Sequence, residues 1–146
     1  MPTHAEKRRL PYSPEQMFDL VADVEKYPEF LPWCVATRVK SRHGDILTAD
    51  MAIGYKMFRE KFTSIARLDR AAMRIDIAYQ EGPFRFLNNH WVFERAPNGC
   101  AIDFYVDFEF RSHLLEKAIT VVFNKAVSRM VEAFEKRARA LYGPRG

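Results

Sequence analysis

The sequence predicts an α+β protein in which a curved antiparallel sheet of about seven strands wraps one long C-terminal helix. Three observations predict it. From Ser112 to Leu141 apolar residues recur at three- and four-residue steps (Leu115, Ile119, Val122, Phe123, Ala126, Val127, Met130, Phe134, Ala138, Leu141), the period of a helix with one apolar stripe. Ahead of it, segment after segment alternates apolar and polar residues with a period of two, as strands with one buried face do. Short turn signals separate these segments, which favours consecutive antiparallel strands. From Leu114 to Leu141 the helix would be roughly 42 Å long at about 1.5 Å per residue. It cannot bury its stripe alone, and the sheet is the available partner.

The first segment, Thr3 to Leu10, is charged yet can pair as a strand, and its charges suit an edge or a solvated face. Ser13, Pro14 and Gln16 are spaced as N-cap, first helical residue and capping-box partner of a short helix running to about Val24. Tyr12 and Met17 stand where a hydrophobic staple would join. Two prolines then bracket a short apolar segment. Pro28 is expected to open a second short helix and Pro32 to end it, giving a lid for one end of the sheet.

Strands follow. Val35 to Ser41 is the first of these, closed by the turn His43-Gly44-Asp45. Leu47, Ala49, Met51, Ile53, Tyr55 and Met57 share one face of the next, opposite Thr48, Asp50 and Lys56. Phe62 to Leu68 comes next, then a strand with Met73, Ile75, Ile77 and Tyr79 on one face. Glu81-Gly82-Pro83-Phe84 breaks the pattern. Leu87, Asn89, Trp91 and Phe93 then alternate with Phe86, Asn88, His90 and Val92, and Ala96-Pro97-Asn98-Gly99 is a strong turn. The last strand turns Ile102, Phe104, Val106, Phe108 and Phe110 inward and Asp103, Tyr105, Asp107 and Glu109 outward. Ser112 caps the long helix and Gly143-Pro144 stops it. With no repeat, linker or low-complexity run, residues 1–146 are expected to form one domain.

Composition narrows the function classes. Hydrophobic residues are 48% of the 146 and Phe occurs 12 times, enough for a thick core or for the lining of an apolar pocket. The inward set of Met51, Met57, Phe62, Phe84, Trp91, Phe104, Phe108, Phe123 and Met130 fits either reading. A net charge of +4 and a pI near 9.2 suit weak attraction to anionic lipid or to RNA. No motif points to DNA. The four histidines are not at metal-ligand spacing, so no metal site is expected. Cys34 and Cys100 are expected to be free thiols. No nucleophile or acid–base pair stands out, and catalytic residues are expected to be none. Asn88, Asn89 and Tyr27 are the candidate donors to a polar group inside a pocket. No secretion signal or membrane-spanning run is read, so the chain is expected to be cytoplasmic or peripheral to the inner membrane.

Four stretches carry a resemblance to a known family. They are Val24-Glu-Lys-Tyr-Pro-Glu-Phe-Leu-Pro-Trp-Cys34, Gly82-Pro-Phe-Arg-Phe-Leu87 with Trp91-Val-Phe93, Asp107-Phe-Glu-Phe-Arg-Ser-His-Leu-Leu115, and Met130-Val-Glu-Ala-Phe-Glu-Lys-Arg-Ala138 with Leu141-Tyr-Gly143. In this order they resemble the coenzyme Q-binding proteins of the START-like, polyketide-cyclase-related superfamily. The resemblance implies a helix-grip fold and a cavity that holds ubiquinone or a related isoprenoid lipid, without catalysis and without a cofactor. It implies that Tyr27, Phe30, Leu31 and Trp33, with Phe84 and Leu87, flank the cavity mouth. Phe123, Val127 and Met130 would form its helical wall, and the inward aromatics Trp91 and Phe108 complete the set of ligand-contacting residues. A toxin branch of the same family implies a different partner, the large ribosomal subunit, with subunit joining blocked. A polyketide cyclase or aromatase is the third expectation. Transient contact with an anionic membrane surface accompanies the first.

Overall fold

A computed structural model describes residues 3–55 and 58–143, without the side chains of Tyr55, Phe58 and Val122. Lys56, Met57 and Pro144 therefore lie outside the described residues. In chain order the elements are β1 (Thr3–Leu10), α1 (Pro14–Ala22), a 3-10 helix (Val24–Glu29), β2 (Cys34–His43), β3 (Ile46–Tyr55), β4 (Phe58–Asp69), β5 (Arg74–Glu81), β6 (Phe84–Ala96), β7 (Gly99–Phe110) and α2 (His113–Tyr142). The seven strands form one antiparallel sheet in the order β1-β7-β6-β5-β4-β3-β2. α2 lies on its inner face.

Local chemistry explains the boundaries. Gln16 N donates to Ser13 Oγ at 3.1 Å and Ser13 N donates to Gln16 Oε1 at 2.9 Å, so the capping box closes α1 from both sides. Tyr12 and Met17 are both buried. The helix stops at Ala22, short of Val24, because Asp23 leaves the helical region (φ −87°, ψ 70°). The chain re-enters a 3-10 helix at once, so Pro28 falls inside that helix and does not open it. Its fixed φ suits 3-10 geometry. Its missing N–H only shifts the next bonds, and Phe30 N and Leu31 N both donate to Tyr27 O.

β4 begins four residues before Phe62, since Arg59 and Glu60 pair with Gly54 and Ile53 although they break the apolar alternation. Met73 belongs to the turn before β5, with φ +53°. The break at Gly82 needs glycine, for φ is +145° and an added Cβ would stand 2.6 Å from Phe62 Cβ. On α2, Leu115 N donates to Ser112 Oγ at 3.2 Å, and Leu115, Phe123, Val127, Phe134 and Ala138 are buried. Leu141 is not part of the buried stripe; it is 52% exposed, while its neighbour Tyr142 packs on Tyr12, and Val131 is buried. β1 is a sheet edge whose inward side chains are polar at His4, Glu6 and Arg8 and apolar at Leu10, which is buried. Arg8 pairs with Glu135 at 3.4 Å and His4 Nδ1 lies 3.2 Å from Asn124 Oδ1, joining that edge to α2.

Candidate functional site

Between the concave face of the sheet and α2 lies a cavity of about 310 Å³. Strand alternation builds its floor. Met51 and Ile53 of β3, Phe62 and Ser64 of β4, Ile77 of β5, Leu87, Asn89 and Trp91 of β6, and Phe104, Val106 and Phe108 of β7 all face it. Its roof is the inner stripe of α2, with Ile119, Phe123, Ala126, Val127, Met130 and Phe134. The Pro-bracketed segment contributes Tyr27, Leu31, Pro32, Trp33 and Cys34 as a flap at one end.

Of the eleven residues nominated from sequence, Tyr27, Leu31, Trp33, Phe84, Leu87, Trp91, Phe108, Phe123, Val127 and Met130 line this cavity. Phe30 does not. It stands edge-on to Phe134 at 5.3 Å and to Tyr27 at 6.0 Å, with the Arg137 guanidinium 5.1 Å above its ring. Those contacts turn it to a separate surface cleft, which it lines with Pro32, Arg129 and Lys136. Trp33 holds a left-handed backbone, φ +67°, unusual for so large a residue. Gly54 N, which donates to Trp33 O at 2.9 Å, helps fix that conformation.

The three candidate polar donors separate cleanly. Asn88 is exposed on the outer face. The Tyr27 hydroxyl is spent on the Val21 carbonyl, and burial pushes its pKa well above the ordinary tyrosine range. Asn89 faces the cavity with its amide partly free; one Nδ2 hydrogen is donated to Tyr105 O at 2.8 Å, which leaves the second Nδ2 hydrogen as a donor and the side-chain oxygen as an acceptor. Ser64, buried at 4% exposure, is the polar residue that sequence reasoning missed. Its signal was a hydroxyl at an inward position of the Phe62-Ser64-Ala66 alternation.

The family model described as polyketide cyclase / dehydrase and lipid transport matches residues 10–135. The chain belongs to this family. The ribosome association toxin RatA of Rickettsia prowazekii is 37% identical over 133 residues, covering 89% of this chain and 91% of that one. The mitochondrial coenzyme Q-binding protein COQ10 homolog B of Xenopus laevis is 33% identical over 144 residues, covering 96% of this chain and 59% of that longer protein. Among solved structures, an 18 kDa protein of Caulobacter crescentus is similar with a TM-score of 0.80 at 35% identity, over 99% of this chain and 100% of that one.

Within this lipid-transport and cyclase family the chemistry of the present cavity is sparse. Among the described residues, Tyr27, Cys34 and Glu60 are the ionisable groups that line it. Burial pushes the Cys34 thiol up to about 11, so it is protonated at neutral pH and is a poor nucleophile. Burial raises the Cys100 thiol to about 11 as well, and both cysteines are free. No group of His, Cys, Asp and Glu among the described residues is placed to hold a metal ion. Apart from Glu60 the walls suit an apolar molecule with one or two polar atoms, met by Ser64 and Asn89 on the floor.

Proposed function

We propose that the protein binds ubiquinone, or a related isoprenoid lipid, in this cavity and carries or presents it in support of respiration or quinone synthesis. The observation that carries the reading is a cavity that, among the described residues, is lined almost wholly by apolar side chains, with Ser64, Asn89 and the Glu60 carboxylate as the polar groups its floor strands bring to it. A quinone has that character: an apolar chain, a flat ring, and carbonyl oxygens that accept a hydroxyl donor. The family's lipid-transport description and the similarity to a coenzyme Q-binding protein support it. A volume of about 310 Å³ lies at the low end of the roughly 300–1,000 Å³ usual for ligand sites. It takes the ring and the start of a tail, and the rest of the tail leaves through the mouth. Apart from Phe30, the nominated residues supply the apolar contacts. The protein works by binding, without a catalytic step, in the cytoplasm or at the inner membrane surface.

The test is organic extraction of the protein purified from a quinone-producing host, read by mass spectrometry. Stoichiometric quinone is expected. An extract that stays empty after a quinone-loading attempt rejects this reading. A second reading, association with the large ribosomal subunit so that subunits do not join, is favoured by similarity over most of the chain to a ribosome association toxin. It predicts salt-sensitive co-sedimentation with large subunits that survives cavity substitutions.

A further inference from the structure

α2 has two working faces, and only the inner one is accounted for. Val121 is 85% exposed and Leu114 76% exposed, the two most exposed large apolar side chains among those described. They lie seven residues apart on the same helix, one above the other. At about 100° per residue, Leu114, Lys117, Val121 and Lys125 fall within roughly 80° of arc. The centre of that arc is opposite Phe123 and Met130, which line the cavity. Neither Lys117 nor Lys125 makes an ion pair among the described residues. The one carboxylate on this half of the helix, Glu116, is turned away; its Oε2 accepts from Phe110 N at 2.7 Å. The helix N-terminus adds partial positive charge at the same end.

We propose that this outer face of α2 docks onto an anionic lipid bilayer. Two exposed apolar side chains flanked by two free lysines, with no carboxylate among them, are what an interfacial helix presents to acidic headgroups. Leu114 and Val121 reach past the headgroups while the lysines meet the phosphates. A phosphodiester backbone would use the lysines but gives the two apolar side chains nothing, which favours lipid over RNA. Docking in this way sets the cavity one helix diameter, about 10–12 Å, from the membrane surface. The inference rests on the lipid-carrier reading for its purpose, and its test needs no quinone.

The test is flotation of the full chain with vesicles of phosphatidylcholine alone or mixed with phosphatidylglycerol. We expect flotation with the anionic vesicles only, weakened by salt. Leu114→Ser with Val121→Ser, and separately Lys117→Glu with Lys125→Glu, should each cut it about tenfold or more. All four side chains are exposed, so thermal unfolding of the variants should match the parent. No flotation with anionic vesicles, or variants that float like the parent, overturns the proposal. So does a mobility shift with single-stranded RNA that is lost only in the lysine variant while vesicles capture nothing. Flotation without extractable quinone leaves docking standing and removes the quinone; quinone without flotation does the reverse.

Discussion

The two ends of the concave surface are built from similar residues and end in different states. At one end Met17, Phe18 and Val21 of α1 press onto the sheet, and Phe93 and Ile75 beneath them are at most 2% exposed. At the other end Met51, Phe62, Ile77 and Leu87 are equally apolar but only half-buried, because they front the cavity. Phe134 stands between the two, edge-on to Tyr27 at 5.4 Å, Phe30 at 5.3 Å and Trp91 at 5.0 Å. Composition does not make the cavity. A helix with a full apolar face closes one end, whereas a 3-10 turn and a Pro-bracketed flap only rim the other.

The widest gap between the ends should appear in stability. Phe93→Ala is expected to cost about 3–5 kcal/mol in denaturant unfolding, since it empties a tightly packed site. Phe62→Ala should cost less than half of that, because its ring already borders open space; equal costs would mean that the two ends are packed alike. Next in size is a separation of stability from binding. Ala126→Phe should fill the cavity, leave unfolding unchanged or stabilise by up to about 1 kcal/mol, and still lower retained quinone about tenfold. Val127→Glu should lower retention as much by charging the wall, and unchanged retention in the folded variant would count against the site.

Ser64→Ala sharpens the comparison further. Loss of one hydrogen bond to a ligand carbonyl should weaken retention by about 1 kcal/mol, or roughly fivefold, with thermal unfolding little altered. The smallest effect belongs to the flap. A hydrogen bond from Arg137 holds the Glu29 carboxyl below its ordinary value of 4.5. A carboxyl lowered in the folded state adds stability that is complete above its unfolded value and is lost as pH falls through the folded one. Pepsin cleavage at Phe30-Leu31 should therefore rise as pH falls below the ordinary glutamate range, and Glu29→Gln should flatten that rise.

Much of this is legible in the sequence alone, for reasons that differ by element. Strand faces follow from a period of two, so Met51, Ile77, Trp91 and Phe108 could be placed on the inner side. The Ser13–Gln16 box and the Ser112 cap are short-range chemistry and need no tertiary context. Phe30 was misplaced because its segment is irregular and has no period; only the Arg137 and Phe134 side chains, more than a hundred residues away, decide where it points. Leu141 obeys the helical spacing yet is exposed, since spacing alone does not say which turns of a helix are covered. Ser64 was passed over because a hydroxyl between apolar neighbours reads as a weak point in a strand until a cavity is known to lie in front of it. That the inner set surrounds open space depends on the lengths of covering elements, which no local pattern encodes.

The pairing of β1 with β7 has a consequence for how the molecule is made. The other five pairings join strands adjacent in sequence and can form as each hairpin leaves the exit tunnel. β1 is made first, yet its register runs from Thr3 opposite Asp107 to Leu10 opposite Cys100. At about 5–20 residues per second, this first segment waits several seconds for its partner. Closing so long a loop is also the slowest search on the pathway. Until α2 follows β7 the concave face has no roof, so the nascent chain displays its most adhesive surface until that helix has emerged. The charges of Lys7, Arg8 and Arg9 keep the waiting edge soluble in that interval.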